Sequence, residues 1–104
     1  MRQPLGWAAV LAAGLLLCAC GKPREHAVAM RGMTFDPPDL VVASGDRVRF
    51  TNEDIVPHTA TAPGRFDSAA VAPSGTWVVT LSKKGDVDYA CTLHPMMKGK
   101  LRVR

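Results

Sequence analysis

Val87-Asp88-Tyr89-Ala90-Cys91-Thr92-Leu93-His94-Pro95-Met96-Met97 is the stretch on which the reading of this chain turns. Its first five residues alternate, with Val87, Tyr89 and Cys91 on one side and Asp88 and Ala90 on the other. That is the period of a half-buried strand. The strand therefore carries a thiol to its inner end, at the edge of a core. Pro95 cannot extend a ladder, so the strand gives way to a loop. That loop places a thiol, an imidazole and two thioethers within seven residues, Cys91 to Met97. A second histidine lies upstream, in Val56-Pro57-His58-Thr59.

The same alternation continues on both sides of this stretch. Lys98 to Arg104 reads as a strand with Leu101 and Val103 inward, and Lys83-Lys84-Gly85-Asp86 as a turn. Thr76 to Leu81 places Trp77, Val79 and Leu81 on the inner face. Pro63 to Ser74 should wrap the surface, with one short strand around Phe66-Asp67-Ser68. Pro57 to Thr61 is expected to be a strand entered through a proline, leaving His58 at its end beside a loop. Arg47-Val48-Arg49-Phe50-Thr51 alternates most cleanly, with Val48 and Phe50 facing in, and Asn52-Glu53-Asp54 ends it as a loop. Ser44-Gly45-Asp46 is a tight turn and Leu40-Val41-Val42 a strand. Phe35 to Asp39 should be a turn, because two successive prolines break a ladder. Ala27 to Arg31 is the first strand. Seven or eight short strands with frequent turns predict an all-β sandwich.

Residues 1–19 are set apart from the fold. Arg2 supplies a positive start, and Trp7 to Leu17 is an apolar run of signal-peptide length, short for a membrane span. Leu17-Cys18-Ala19-Cys20 resembles the lipobox of bacterial lipoproteins. The resemblance implies an exported chain, periplasmic or at the cell surface, held to a bacterial membrane through a lipidated Cys20. An ordinary secretory signal with Cys20 as a bystander is the alternative. Residues 20–26 then form the lipidated N-terminus and tether, with His26 solvated, and residues 27–104 form one domain.

Loss of residues 1–19 takes Arg2 with it and lowers the formal charge from +4 to +3. So mild a charge does not suit nucleic acid as a partner. Lys98, Lys100, Arg102 and Arg104 follow the loop; they either steer an acidic partner or protect a strand edge. Without Cys18 and Cys20, Cys91 is the one free thiol and has no disulfide partner. A lone exported thiol is open to oxidation unless something occupies it, and a metal would do so.

A thiolate, two imidazoles and a weak thioether are the donor set of a blue-copper centre. Cys91 and His94, at Cys-x-x-His spacing, span one tight turn and converge on a point. Structural zinc wants four strong nitrogen or sulfur donors, and only Cys91, His58 and His94 are well placed. Multicopper catalysis needs further histidines, and only His26 is left over, so no enzyme is expected.

Cys91-Thr92-Leu93-His94-Pro95-Met96-Met97-Lys98-Gly99-Lys100 resembles the ligand loop of the amicyanin and plastocyanin group of cupredoxins. Ser44-Gly45-Asp46-Arg47-Val48, Asn52 through Pro57-His58, Phe66-Asp67-Ser68 and Trp77 through Tyr89 extend the likeness over residues 27–104. It implies a Greek-key cupredoxin sandwich holding one copper ion. His58, Cys91 and His94 would be equatorial ligands and Met97 the axial one, with Met96 in that role if the loop winds differently. Thr59, Thr92, Pro95 and Met96 would surround the ligands or form the docking rim. The implied activity is single-electron transfer by a monomer, through weak transient docking with redox proteins. Copper acquisition, storage or delivery is the alternative. Thr59 and Leu93 depart from the Asn and Pro common in the family, which touches the packing around the ligands.

Overall fold

The computed structural model describes residues 21–104; the expected signal segment and Cys20 lie outside the described residues. Nine strands are present among the described residues. They are β1 (Glu25–Arg31), β2 (Thr34–Asp36), β3 (Asp39–Val42), β4 (Asp46–Asn52), β5 (Thr61–Ala62), β6 (Phe66–Asp67), β7 (Thr76–Leu81), β8 (Gly85–Ala90) and β9 (Lys98–Val103). One sheet runs β2-β1-β4-β7 and the other β3-β9-β8-β5-β6. The chain passes between sheets after β2, β3, β4, β6 and β7, and hairpins join β1 to β2, β5 to β6 and β8 to β9. The result is a Greek-key β-sandwich. Two pairs, β1 with β4 and β3 with β9, are parallel.

The inner faces follow from the alternation. In β4, Val48 and Phe50 are fully buried while Arg47 and Arg49 lie half-buried on the outer face. Phe50 meets Tyr89 edge-on at 5.5 Å between centroids, and Tyr89 meets Phe35 at 4.6 Å. Removing each such ring from water contributes roughly 1.5–3 kcal/mol. Among the described residues the core runs from Val28 to Val103, and every described strand pairs within residues 25–103. Residues 21–104 therefore close their own core.

Four expectations are corrected. β1 begins at Glu25, because its parallel register with β4 starts at Glu25 opposite Arg47. His26 is consequently a strand residue and not a solvated tether residue, with Nε2 2.9 Å from Asp46 Oδ2. Phe35 sits in β2 opposite Met30 and is buried; the prolines act only afterwards, where the chain changes sheets. Pro57 to Thr61 does not form a continuous strand. His58 makes an isolated bridge with Val71, and regular pairing resumes only at Thr61. Pro57 has no N–H to give, and the buried Asn52 side chain takes the Val56 carbonyl while sharing that of Val71 with His58 N. Three of the four clustered basic residues on and just after β9 have acidic partners: Lys100 faces Asp88, Arg102 pairs with Asp39 and Asp86, and Arg104 with Asp86.

The sandwich has two distinct ends. The β8–β9 loop and the segment after β4 share one end. The β3–β4 and β7–β8 turns share the other, where Gly45 N donates to Leu81 O and the Ser44 hydroxyl to Ser82 O.

Candidate metal centre

β8 delivers Cys91 fully buried just beyond its last residue, Ala90. The loop that follows is closed by its own backbone. Cys91 N donates to Met97 O (2.9 Å), His94 N to Cys91 O (3.3 Å) and Met97 N to His94 O (2.9 Å). These bonds fold the seven residues into a tight cup with His94 half-buried at its lip. His58 approaches from the segment between β4 and β5 and is fully buried.

Three donor atoms face one another. His58 Nδ1 and His94 Nδ1 are 3.2 Å apart, and Cys91 Sγ lies 3.6 Å from the second and 3.9 Å from the first. Metal bonds of about 2.0 Å to nitrogen and 2.3 Å to sulfur, arranged in a plane around one ion, set donors roughly 3.5–3.7 Å apart. The triad fits a single first-row ion, and it is the one cluster of this kind among the described residues.

The surroundings orient His58 and Cys91. His58 Nε2 is 2.8 Å from Asp54 Oδ2, so its proton sits on Nε2 and the Nδ1 lone pair points at the triad. Asp54 also accepts from the backbone N–H groups of Gly32 (2.7 Å) and Met33 (3.0 Å), which fastens the ligand to the β1–β2 turn. The Met33 N–H, then the His58 imidazole and the Gly32 N–H, hold the Asp54 carboxyl below its ordinary range. Thr59 N donates to Cys91 Sγ at 3.2 Å, a bond that suits a thiolate. The Thr59 hydroxyl accepts from Thr92 N (2.9 Å) and meets the Thr92 hydroxyl (3.1 Å). Thr59 thus braces the ligand loop from a position where the resemblance raised doubt.

The two methionines part company. Met97 is buried at 3 % exposure, whereas Met96 is 94 % exposed beside Pro95 and the half-exposed Leu93. Sequence reasoning missed Asp54 and Asn52 as organisers of the site. A carboxylate four residues before a ligand histidine was the available signal for Asp54. Asn52 entered the sequence reading only as the start of the stretch leading to His58, and nothing local showed that its side chain reaches Val71.

A two-sheet sandwich that sets the cysteine and histidine of one closed loop against a second histidine from a separate segment defines a small copper protein. A family profile described as copper binding proteins, plastocyanin/azurin family, matches residues 24–104, and the chain belongs to that family. It is 32% identical over 102 residues to amicyanin-alpha of Methylorubrum extorquens, covering 91% of this chain and 86% of that protein. Plastocyanin of Lactuca sativa is 31% identical over 69% of this chain and 89% of its own length. Among solved structures, a copper(I) form of an amicyanin mutant superposes with a TM-score of 0.73 at 27% identity, covering 77% of this chain and 82% of that one. A copper-containing nitrite reductase from Thermus scotoductus also gives 0.73 at 30% identity, but this chain corresponds to only 23% of it. The cofactor is one copper ion, and His58, Cys91 and His94 fit it.

Proposed function

We propose that this protein is a one-electron carrier with His58, Cys91 and His94 as equatorial ligands and Met97 as the axial donor. The observation that carries this reading is the convergence of three donors from two separate segments, each braced by its own hydrogen bonds. Bound copper supplies the one-electron couple. The chain's own contribution is a cup whose backbone bonds and Thr59–Thr92 brace resist movement, so little rearrangement accompanies a change of charge. Burial of Met97 and full exposure of Met96 favour Met97 as the axial donor. Met96 and Leu93, around the half-buried His94, form an apolar rim suited to weak, transient docking with a redox protein. The likeness to amicyanins and to plastocyanin supports reading the chain as a carrier and not an enzyme. The monomeric state, export to the periplasm or cell surface, and lipidation at Cys20 belong to the same reading. They rest on the sequence of residues 1–20 and on the likeness to amicyanins.

Absorption and EPR spectra of the copper-loaded segment 21–104 test the activity. An intense visible thiolate-to-copper band and reversible reduction are expected, and Cys91→Ala should abolish the colour. A colourless Cu(II) form, or copper released on reduction, would instead indicate copper delivery. Met97→Ala should change the spectrum and Met96→Ala should leave it alone; the reverse would reassign the axial donor.

A further inference from the structure

The charged groups of the sandwich are sorted by end, and the sorting has no role at the metal site. Chain residues 21–24 enter at the end opposite the copper cup, where Arg24 O accepts from Arg47 N and Arg24 N donates to Asp46. The seven residues of β4 separate this end from the segment bearing His58, roughly 20 Å at the usual rise per residue.

Three cations meet at the entry end. Arg65 in the β5–β6 turn donates to the carbonyl of Lys83 at 3.2 Å, which holds the arginine beside Lys83 and Lys84 of the β7–β8 turn. All three are exposed, as are Lys22 and Arg24 on the entering chain. None of the five forms an ion pair among the described residues, and residues 1–20 contain no Asp or Glu to supply one. The acidic side chains nearby are engaged elsewhere. Asp46 is buried against His26, Glu25 faces Arg47 and Arg49, and Asp86 holds Arg102 and Arg104. The copper end has no such group of unpaired cations among the described residues: Arg31 is held by Asp36 and Glu53, and Lys98 stands alone, with Asp54 on His58 and Asp67 nearby.

We propose that the entry end, formed by Lys22, Arg24, Arg65, Lys83 and Lys84, is a membrane-facing surface that lies on anionic lipid headgroups. It would hold the copper cup pointing away from the bilayer. The inference rests on the reading that the chain is held at a membrane through its N-terminal segment. An anionic surface recruits exposed Lys and Arg within about a Debye length. The entering chain places the five cations next to that surface, and the copper end offers no comparable cluster to compete for it. An anchored sandwich on a short tether would otherwise tumble and bury its docking rim against lipid for part of the time.

The test uses the lipid-free segment 21–104, which closes its own core, and separates this surface from the acyl anchor. Cosedimentation with phosphatidylglycerol–phosphatidylethanolamine vesicles at low salt should show binding that salt reverses. Phosphatidylcholine vesicles should bind little. Lys83→Gln should weaken binding about fivefold, and the combined Arg65→Gln, Lys83→Gln and Lys84→Gln variant should lose it. Lys98→Gln, at the copper end, should leave it unchanged. Circular dichroism and copper loading verify that each variant is folded. Equal binding by the triple variant and the parent, or equal binding to neutral vesicles, would overturn the proposal. The mass of the mature N-terminus in cells tests the anchor separately. An unacylated Cys20 alongside charge-dependent vesicle binding removes the anchor and keeps the surface. An acylated chain whose 21–104 segment ignores anionic vesicles does the opposite.

Discussion

Asp54→Asn preserves the shape of the side chain that holds His58 and removes its charge. In the native site Oδ1 accepts from Gly32 N at 2.7 Å, while Oδ2 accepts from Met33 N at 3.0 Å and His58 Nε2 at 2.8 Å. Asparagine has one acceptor oxygen. Turned toward His58 and Met33, it presents an NH2 to the Gly32 N–H; turned the other way, it loses both partners on the His58 side. In either arrangement the imidazole loses its anionic partner, and a charge-assisted bond is about twice as strong as a neutral one. Nδ1 becomes less basic, which weakens Cu(II) more than Cu(I). Losing an outer partner of a ligand histidine typically lowers metal affinity about 10–100-fold. If the loss falls on Cu(II) alone, the reduction potential rises by about 59 mV per tenfold. Competition titration against a chelator gives the affinity, and voltammetry gives the potential. A folded Asp54→Asn protein with unchanged Cu(II) affinity and potential would refute the assignment of Asp54 as the residue that positions His58.

Gly99 lies against Tyr89, and a methyl group there would stand 2.2 Å from the ring Cζ and 2.4 Å from its hydroxyl. Phe35 and Phe50 hem in that ring, so Gly99→Ala should cost about 3 kcal/mol by overpacking. It should lower Tm by at least ~10 °C; a change within ~2 °C would show that the ring has room to move. The Tyr89 hydroxyl is buried without a hydrogen-bond partner, and burial alone pushes its pKa up. Tyr89→Phe should therefore hold or raise Tm, and a clear drop in thermal melts would reveal a partner for the hydroxyl. Asp46 is held at about 2, below its ordinary 3.8, by His26 first and then by the N–H groups of Arg24 and Ala43. Because the folded value is the lower one, this carboxylate stabilises the fold above about pH 4 and loses that contribution as pH falls toward 2. Urea midpoints measured across that window should fall less steeply for Asp46→Asn than for the parent; parallel slopes would rule the residue out as a source of acid sensitivity.

What could be read from the chain alone was what short-range spacing dictates. Alternation over five to seven residues placed Val48, Phe50, Val87, Tyr89, Leu101 and Val103 in the core, where all six lie. Cys91 and His94 converge because one turn brings residues three apart together, and that needs no knowledge of the rest of the molecule. Only the tertiary structure decided matters of long sequence separation. It put Thr59 against Thr92, so that a threonine braces the loop, and it placed Asp54 between His58 and the β1–β2 turn. The prolines after Phe35 read as a turn, yet pairing with Met30 drew Phe35 into a strand, because burying a ring outweighs a weak local preference. His26 looked like tether until parallel pairing with β4 brought it to Asp46, twenty residues away. Local pattern is set by backbone period and loop chemistry. Which distant side chains finally share a site is set by how two twisted sheets pack, and no window of sequence contains that packing.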